Sequence, residues 1–361
     1  MHRFILVREN FIQIKLSEIS PNEGIVLDGI IGGGSVLRVG VPLALALNKP
    51  IHVYNIRQHK LKKGLRTQHL TGLQLLCQLT GSTLEGGSIG SDKITVYPHT
   101  SMFSQQQPMI QLPTSAAVSL VIQTLSNYVF ASGKAMGFDF MGGGTHVNWS
   151  PNFDVLLEVN KPMFEKFGLQ MHIQLMKPGF YPTGGAMGRI FMQPIAKSKL
   201  VYEQGDVNSI KVISNASISL RHLKVAERQI AGFKGLIPDV SKELVGYADA
   251  SSPGSACSAI VSYDNGALKG IARIGQDGIK PEDTGRRTAK ATLREIENKG
   301  VMDEQLADQL ILPLAFMPPG TKYSFERVFP HVDANYKVVK HILGDVIDMW
   351  EEDGIFYLLK K

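Results

Sequence analysis

PMFEKFGLQMHIQLM, residues 162–176, reads as the close of one helix, a glycine stop at Gly168 and then a strand. A glycine-rich turn and GRIFMQP (188–194) complete a hairpin behind it. Two other stretches follow the same plan. TGLQLLCQL (71–79) carries apolar residues at helical spacing, and KITVYP (93–98) follows after the turns of GSTLEGGSIGS (81–91). VVKHILGDVIDMW (338–350) starts as a helix, and GIFYLLK (354–360) follows it near the end of the sequence. Helical periodicity alternating with short strands predicts α/β or α+β layers. Its recurrence at roughly hundred-residue intervals predicts three repeated βαβαββ-type units forming a large domain.

Residues 196–280 read differently. They hold their own amphipathic helix, LKVAERQIAGF (223–233), and strand-like runs SACSAIVSY (255–263) and ALKGIARIG (267–275). This stretch is expected to be a smaller α/β domain inserted between the second and third units. The large domain is then 25–195 plus 281–361, re-entered through the helix RRTAKATLREIENKG (286–300), whose charges face outward. Residues 1–24 form an N-terminal extension. Its four-residue apolar run, Phe4 to Val7, is too short for a secretory core.

A chain of 361 residues with 43% apolar and 19% charged residues suits several packed units and argues against disorder. It has no apolar run long enough for a membrane span. The two cysteines, Cys77 and Cys257, supply neither a disulfide framework nor a metal cluster, and a reducing cytoplasm is the simplest location. The net charge of +6 permits a nucleic-acid partner without requiring one. Arg57, Lys60, Lys62, Lys63 and Arg66 fall within ten residues, beside His59 and His69, a cluster that reads first as a solvated loop.

Several segments stand in a fixed order: LDGIIGGGSVLRVGVPLALALNKPIHVYNIR (27–57), GLRTQHLTGLQLL (64–76), SLVIQTL (119–125), MGGGTHVNWSPNFD (141–154), PGFYPTGGAMGRI (178–190), EQLADQLILPLAF (304–316) and FPHVDANYKVVKHIL (329–343). In this order and spacing, from about residue 25 to 345, the chain resembles the RNA 3′-terminal phosphate cyclases. The resemblance implies an ATP-dependent ligase that forms a 2′,3′-cyclic phosphate on RNA ending in a 3′-phosphate. A histidine takes AMP from ATP, the AMP passes to the RNA phosphate, and the 2′-hydroxyl displaces it.

The resemblance makes His331 the adenylylated residue. A neutral imidazole is a competent nucleophile toward phosphorus once a neighbour sets its tautomer. Glu304, Gln305, Leu306, Ala307, Asp308 and Gln309 correspond to the stretch that touches ATP, and Gln123 to a second such position. A buried glutamine needs partners in any case. Arg57, Arg66, His69, Gly33, Gly34 and Arg38 are expected at the RNA phosphate, where glycines let backbone approach an anion, with Lys60, Lys62 and Lys63 adding attraction. A divalent cation, Mg or Mn, is expected with ATP, and the resemblance leaves room for a homodimer.

The chain departs from the family pattern mainly on the substrate side. Ile31 stands where an acidic residue usually precedes the triple glycine, and Ser35 where a glutamine usually follows it. Gln58-His59-Lys60 replaces Ala-Gly-Arg, Lys63 a proline, Asn152 a proline, and Ala186 a glycine. Thr114 to Val118 stand for a Gly-Ser-Ala-Gly-Ser stretch, and Gln305 for an aromatic residue. These departures keep open an alternative: a catalytically weakened or inactive homologue acting as an RNA-binding factor in RNA processing. A transferase of another substrate on the same architecture also stays open; it predicts a small-molecule anion site and no covalent AMP.

Overall fold

The computed structural model describes residues 24–99, 107–148, 150–203 and 205–361. The expected N-terminal extension, 1–24, lies outside them but for Gly24. The first sheet holds β1 (Ile25–Asp28), β2 (Ile51–Tyr54), β3 (Thr83–Glu85) and β4 (Ile94–Tyr97) in the order β1-β2-β4-β3. Helix α1 (Gly34–Ala46) connects its parallel pair, and α2 (Thr67–Thr80) ends where Gly81 takes a left-handed conformation.

The second sheet repeats this order. It holds β5 (Met109–Ala117), β6 (Met136–Gly144), β7 (Leu169–Lys177) and β8 (Met187–Pro194), arranged β5-β6-β8-β7. Helix α3 (Val118–Ser132) joins the parallel pair β5 and β6. The second crossover is α4 (Phe153–Val155), a π-helical turn over Leu156–Asn160, and α5 (Lys161–Lys166).

A separate four-stranded sheet follows, β10-β9-β11-β12, from β9 (Val207–Ser217), β10 (Lys242–Ala248), β11 (Ser255–Tyr263) and β12 (Leu268–Ile274). Helix α6 (Val225–Lys234) packs on β9, and α7 (Pro281–Glu297) packs on α6, β11 and β12. A boundary at residue 280 would assign α7 to the large unit; by its contacts, α7 covers this sheet. Its one glycine explains the fit, because a Cβ on Gly285 would lie 1.9 Å from the Gln229 carbonyl of α6.

The last segment carries α8 (Glu304–Gln309), α9 (Ile311–Ala315), β13 (Lys322–Phe325), α10 (Pro330–Leu343), β14 (Ile347–Glu352) and β15 (Ile355–Lys360), with strand order β13-β15-β14. Val201 bridges Lys322 in parallel, with the Lys322 amide donating to the Leu200 carbonyl at 2.8 Å. The place of a first strand is thus filled by residues that precede the β9–β12 sheet in sequence. Helices α8 and α9 are divided at Leu310, and Pro313 has no N–H for the Gln309 carbonyl. The whole is mixed α/β, and among the described residues no helix is long and apolar enough to cross a membrane. Cys77 and Cys257 are free and buried.

Helix α1 is the hub of the packing. It is buried from Gly34 to Leu45 between α2, α3 and α10, and so lacks the polar face of a surface helix. Pro42 inside it removes the N–H that would bond the Arg38 carbonyl. The Asn127 amide of α3 donates to that carbonyl instead, at 2.8 Å. Replacing Asn127 by Leu is therefore expected to cost about 1–3 kcal/mol, the penalty of a buried carbonyl left unpaired. Adding Pro42→Ala should recover part of that loss by restoring the helix bond. Denaturant titration of both single variants and the double variant measures this; purely additive effects would show that Asn127 does not stand in for the missing amide.

Candidate active site

The site forms where α1, α2, α8 and α10 bring their functional ends together beside α3. It begins with the triple glycine. Gly33 adopts φ +59° just before α1, a left-handed value that favours glycine. A Cβ on Gly32 would lie 2.2 Å from the Ala334 Cβ of α10, and one on Gly34 would lie 2.3 Å from His69 Nε2 and 3.1 Å from Arg38 Nη1. One on Gly33 would lie 3.4 Å from Arg57 Cγ. Absent side chains thus let α10, α2 and the Arg57 loop close on a single turn.

His69 sits at the start of α2, where its Nδ1 accepts from the Arg66 amide at 3.4 Å. In the neutral ring this leaves the proton on Nε2, the nitrogen beside Gly34. Burial, followed by Arg38, Arg57 and Arg66, pushes the His69 pKa down to about 3. His69 is therefore a neutral donor at the mouth of the turn. Arg38, one turn into α1, is buried, and its Nε donates to Gln123 Oε1 at 2.9 Å. Burial lowers its pKa, and the charge of Asp308 opposes that.

His331 lies in the first turn of α10, after Pro330 at N1. Its ring is exposed and Nδ1 faces Asp308 Oδ2 at 3.6 Å. The helix N-terminus adds partial positive charge, which suits an incoming phosphate. Asp303 caps α8 by accepting from the Gln305 and Leu306 amides, each at 2.9 Å, and also accepts from Gly270 of β12 at 3.1 Å. Glu304 lies in the same neighbourhood. Its pKa is raised by partial desolvation and then by Asp308 and Asp303, while His331 and Arg327 pull the other way.

The expected residues divide by position. Glu304 and Gln305 are exposed, whereas Leu306 and Ala307 point into the core, so only their backbones are available to a ligand. Gln309 accepts from the Asn160 amide at 3.0 Å. Arg57 takes φ +56°, donates to the Lys62 carbonyl and leaves its Nε buried without a partner. His59, Lys60, Lys62 and Lys63 are exposed on the same loop, which the Gly64 amide closes onto the Ile56 carbonyl at 2.9 Å. Among the described residues none of Arg57, Lys60, Lys62, Lys63 and Arg66 has a carboxylate at ion-pair distance. Ile31 ends a 3₁₀ turn capped by Asp28, so no carboxylate stands at that position.

Sequence reasoning missed Asn160, Asn335 and Asp303. Asn335 was recoverable, since it lies four residues after His331 on one helix face. Asn160 was not, because its contact spans 149 residues of chain. Among the described residues, four buried side-chain polar atoms have no partner: Arg57 Nε, Asn160 Oδ1, Asn335 Oδ1 and Tyr263 Oη. The first three flank this site, as expected of groups that a ligand or ordered water satisfies.

The profile of the RNA 3′-terminal phosphate cyclase family matches residues 30–349. A protein from Thermococcus onnurineus is 30% identical over 339 residues, 91% of this chain and 96% of that protein. One from Pyrobaculum aerophilum is 27% identical over 330 residues, covering 90% and 93%, and one from Ectopseudomonas mendocina is 29% identical over 331 residues, covering 89% and 93%. Each of the three is named RNA 3′-terminal phosphate cyclase.

The depressed pKa of His69 has a consequence for stability. The unfolded chain takes up the proton first, so the contribution of the neutral ring is complete above about pH 6.5 and is lost as pH falls toward about 3. The slope it adds is at most about 1.4 kcal/mol per pH unit. Denaturant titrations across that window should show a flatter profile for His69→Gln than for the wild type; parallel profiles would contradict a buried neutral His69.

Proposed function

The chain belongs to the RNA 3′-terminal phosphate cyclase family, and on that premise we propose that it converts an RNA 3′-terminal phosphate to a 2′,3′-cyclic phosphodiester at the expense of ATP, through AMP carried on His331. The observation that carries this reading is the meeting of His331 and Asp308 at 3.6 Å beside the Arg38–Gln123 pair and the triple glycine.

With Nδ1 toward a carboxylate, the neutral imidazole keeps its proton there and its lone pair on Nε2. Nε2 attacks the α-phosphorus of ATP, the bond to the bridging oxygen breaks, and pyrophosphate leaves. Gln123, Asp308, Gln309 and the backbone of 304–309 hold the nucleotide, and the N-terminus of α10 favours its negative charge. An oxygen of the RNA 3′-phosphate then attacks the histidine-bound phosphorus and the N–P bond breaks. The adjacent 2′-hydroxyl finally attacks the 3′-phosphorus, closing the ring and releasing AMP.

Arg57, Arg66, the Nε2–H of neutral His69, Arg38 and the backbone at Gly33 and Gly34 offer donors for the terminal phosphate, and the lysines of the loop attract the strand. Arg57 Nε, a buried donor without a partner, fits a bound phosphate. Among the described residues no group of three or more His, Cys, Asp or Glu could hold a metal. Mg²⁺ needs only one or two carboxylates when phosphates complete its shell, so Glu304 and Asp308 fit an ion that arrives with ATP and neutralises its charge. A cytoplasmic setting accords with reduced Cys77 and Cys257.

Incubation with ATP labelled at the α-phosphate and Mg²⁺ or Mn²⁺, followed by a denaturing gel, tests the reading. Label should appear on the wild type, vanish in acid, persist in base and be absent from His331→Ala. RNA ending in a 3′-phosphate should then discharge it. A wild type that stays unlabelled with both metals would leave the chain as a non-catalytic RNA-binding member of the family.

A further inference from the structure

Asn335 lies on α10 one turn beyond His331 and is 1% exposed. Its Nδ2 donates to the main-chain carbonyl of Asp308 at 3.1 Å, and its Oδ1 is buried without a partner. That carbonyl belongs to the last turn of α8, where helix carbonyls have no intrahelical donor, and a buried carbonyl needs one. Two contacts therefore join the same short stretches. Asn335 holds the backbone of Asp308, and His331 meets its carboxylate at 3.6 Å. Between them, Ala334 seats α10 against Gly32, so residues 331, 334 and 335 present one face to the site.

We propose that Asn335 is the positioning residue for the adenylylation step, holding the end of α8 so that Asp308 stays against His331. This rests on the reading of His331 as the nucleophile. The bond from Asn335 and the contact between His331 and the Asp308 carboxylate close a ring through α10 and the Asp308 residue. Without the amide, the main chain of Asp308 loses the hydrogen bond that ties it to α10, and the contact of its carboxylate with His331 is left to hold the two helices together there. A misplacement of the reacting groups by about 1 Å is enough to slow a reaction on the order of 10²-fold.

The chemistry of the tie makes the test discriminating. Aspartate matches asparagine in shape but cannot donate to a carbonyl when ionised, and it adds negative charge beside Asp308. Alanine merely removes the donor. Both variants lose the donor, and the buried carboxylate of Asn335→Asp adds repulsion beside Asp308, so a positioning role predicts that labelling slows in both, more in Asn335→Asp, while cyclisation of pre-adenylylated RNA is spared; a packing role predicts equal loss of both activities.

The experiment uses the full chain as wild type, N335A and N335D. Incorporation of α-labelled AMP is followed against ATP concentration. In parallel, cyclisation is measured on synthetic RNA already carrying AMP on its 3′-phosphate, which bypasses His331. N335D should lose on the order of 10²-fold in maximal labelling rate, N335A should lose less, KM for ATP should hold, and both should cyclise the pre-adenylylated RNA at the wild-type rate. Wild-type labelling by N335D overturns the inference alone. Equal loss of both activities replaces it with a general packing role. An unlabelled wild type overturns the reading of His331 and this inference with it.

Discussion

A guanidinium buried inside a helix that is packed on every side constrains the rest of this molecule. Arg38 sits in α1 and is only 9% exposed, so water solvates little of it. Leaving such a charge unpaired is strongly destabilising. The neighbours answer in detail: Gln123 of α3 accepts from Nε, Asp308 of α8 supplies opposing charge, and Asn127 of α3 donates to the Arg38 carbonyl that Pro42 leaves open. Three helices drawn from separate sheets are thereby registered against one residue. The same registration brings the triple glycine, His69 and His331 together, so the packing of the hub and the geometry of the site are one requirement.

Helix α8 shows how tightly this is held. It has only six residues, too few to persist by its own hydrogen bonds, and it is fastened from outside at four places. Gly270 reaches the cap at Asp303, Tyr323 Oη donates to the Ala307 carbonyl, Asn335 to the Asp308 carbonyl, and Asn160 to Gln309 Oε1. The first of these tethers comes from β12, so the β9–β12 sheet supports the segment read as the nucleotide stretch although it is remote from it in fold order. Asn160 comes from a π-helical turn, a distortion that often marks functional positions.

Charge is distributed to match. Cations without carboxylate partners gather on the loop from Arg57 to Arg66 and around His69, whereas Glu304 and Asp308 lie on the α8 side with His331. Such a division suits a phosphate on one side and a nucleotide on the other. The loop owes its shape to Gly64, where a Cβ would lie 2.1 Å from the Gly90 carbonyl, so a residue far along the chain presses the neck closed.

Much of this was legible in the residues. The alternation of helical periodicity with short strands foretold mixed α/β layers, because period and length are local properties of the chain. The glycine turn, the buried glutamine and the histidine after a proline could be singled out, since each residue type restricts its own backbone or demands partners. The extent of α7 and the break at Leu310 depended on what packed against them. So did the strand place filled by 200–202, which is separated from β13 by a whole sheet. The partners of the site were equally hidden: Asn160 reaches Gln309 across 149 residues, and Asn127 reaches Arg38 across 89. Sequence by itself determined which elements form and which groups need a partner, through local sterics and hydrogen-bonding capacity. Only the tertiary structure decided which partner each received, because burial, charge and distance belong to the packed whole.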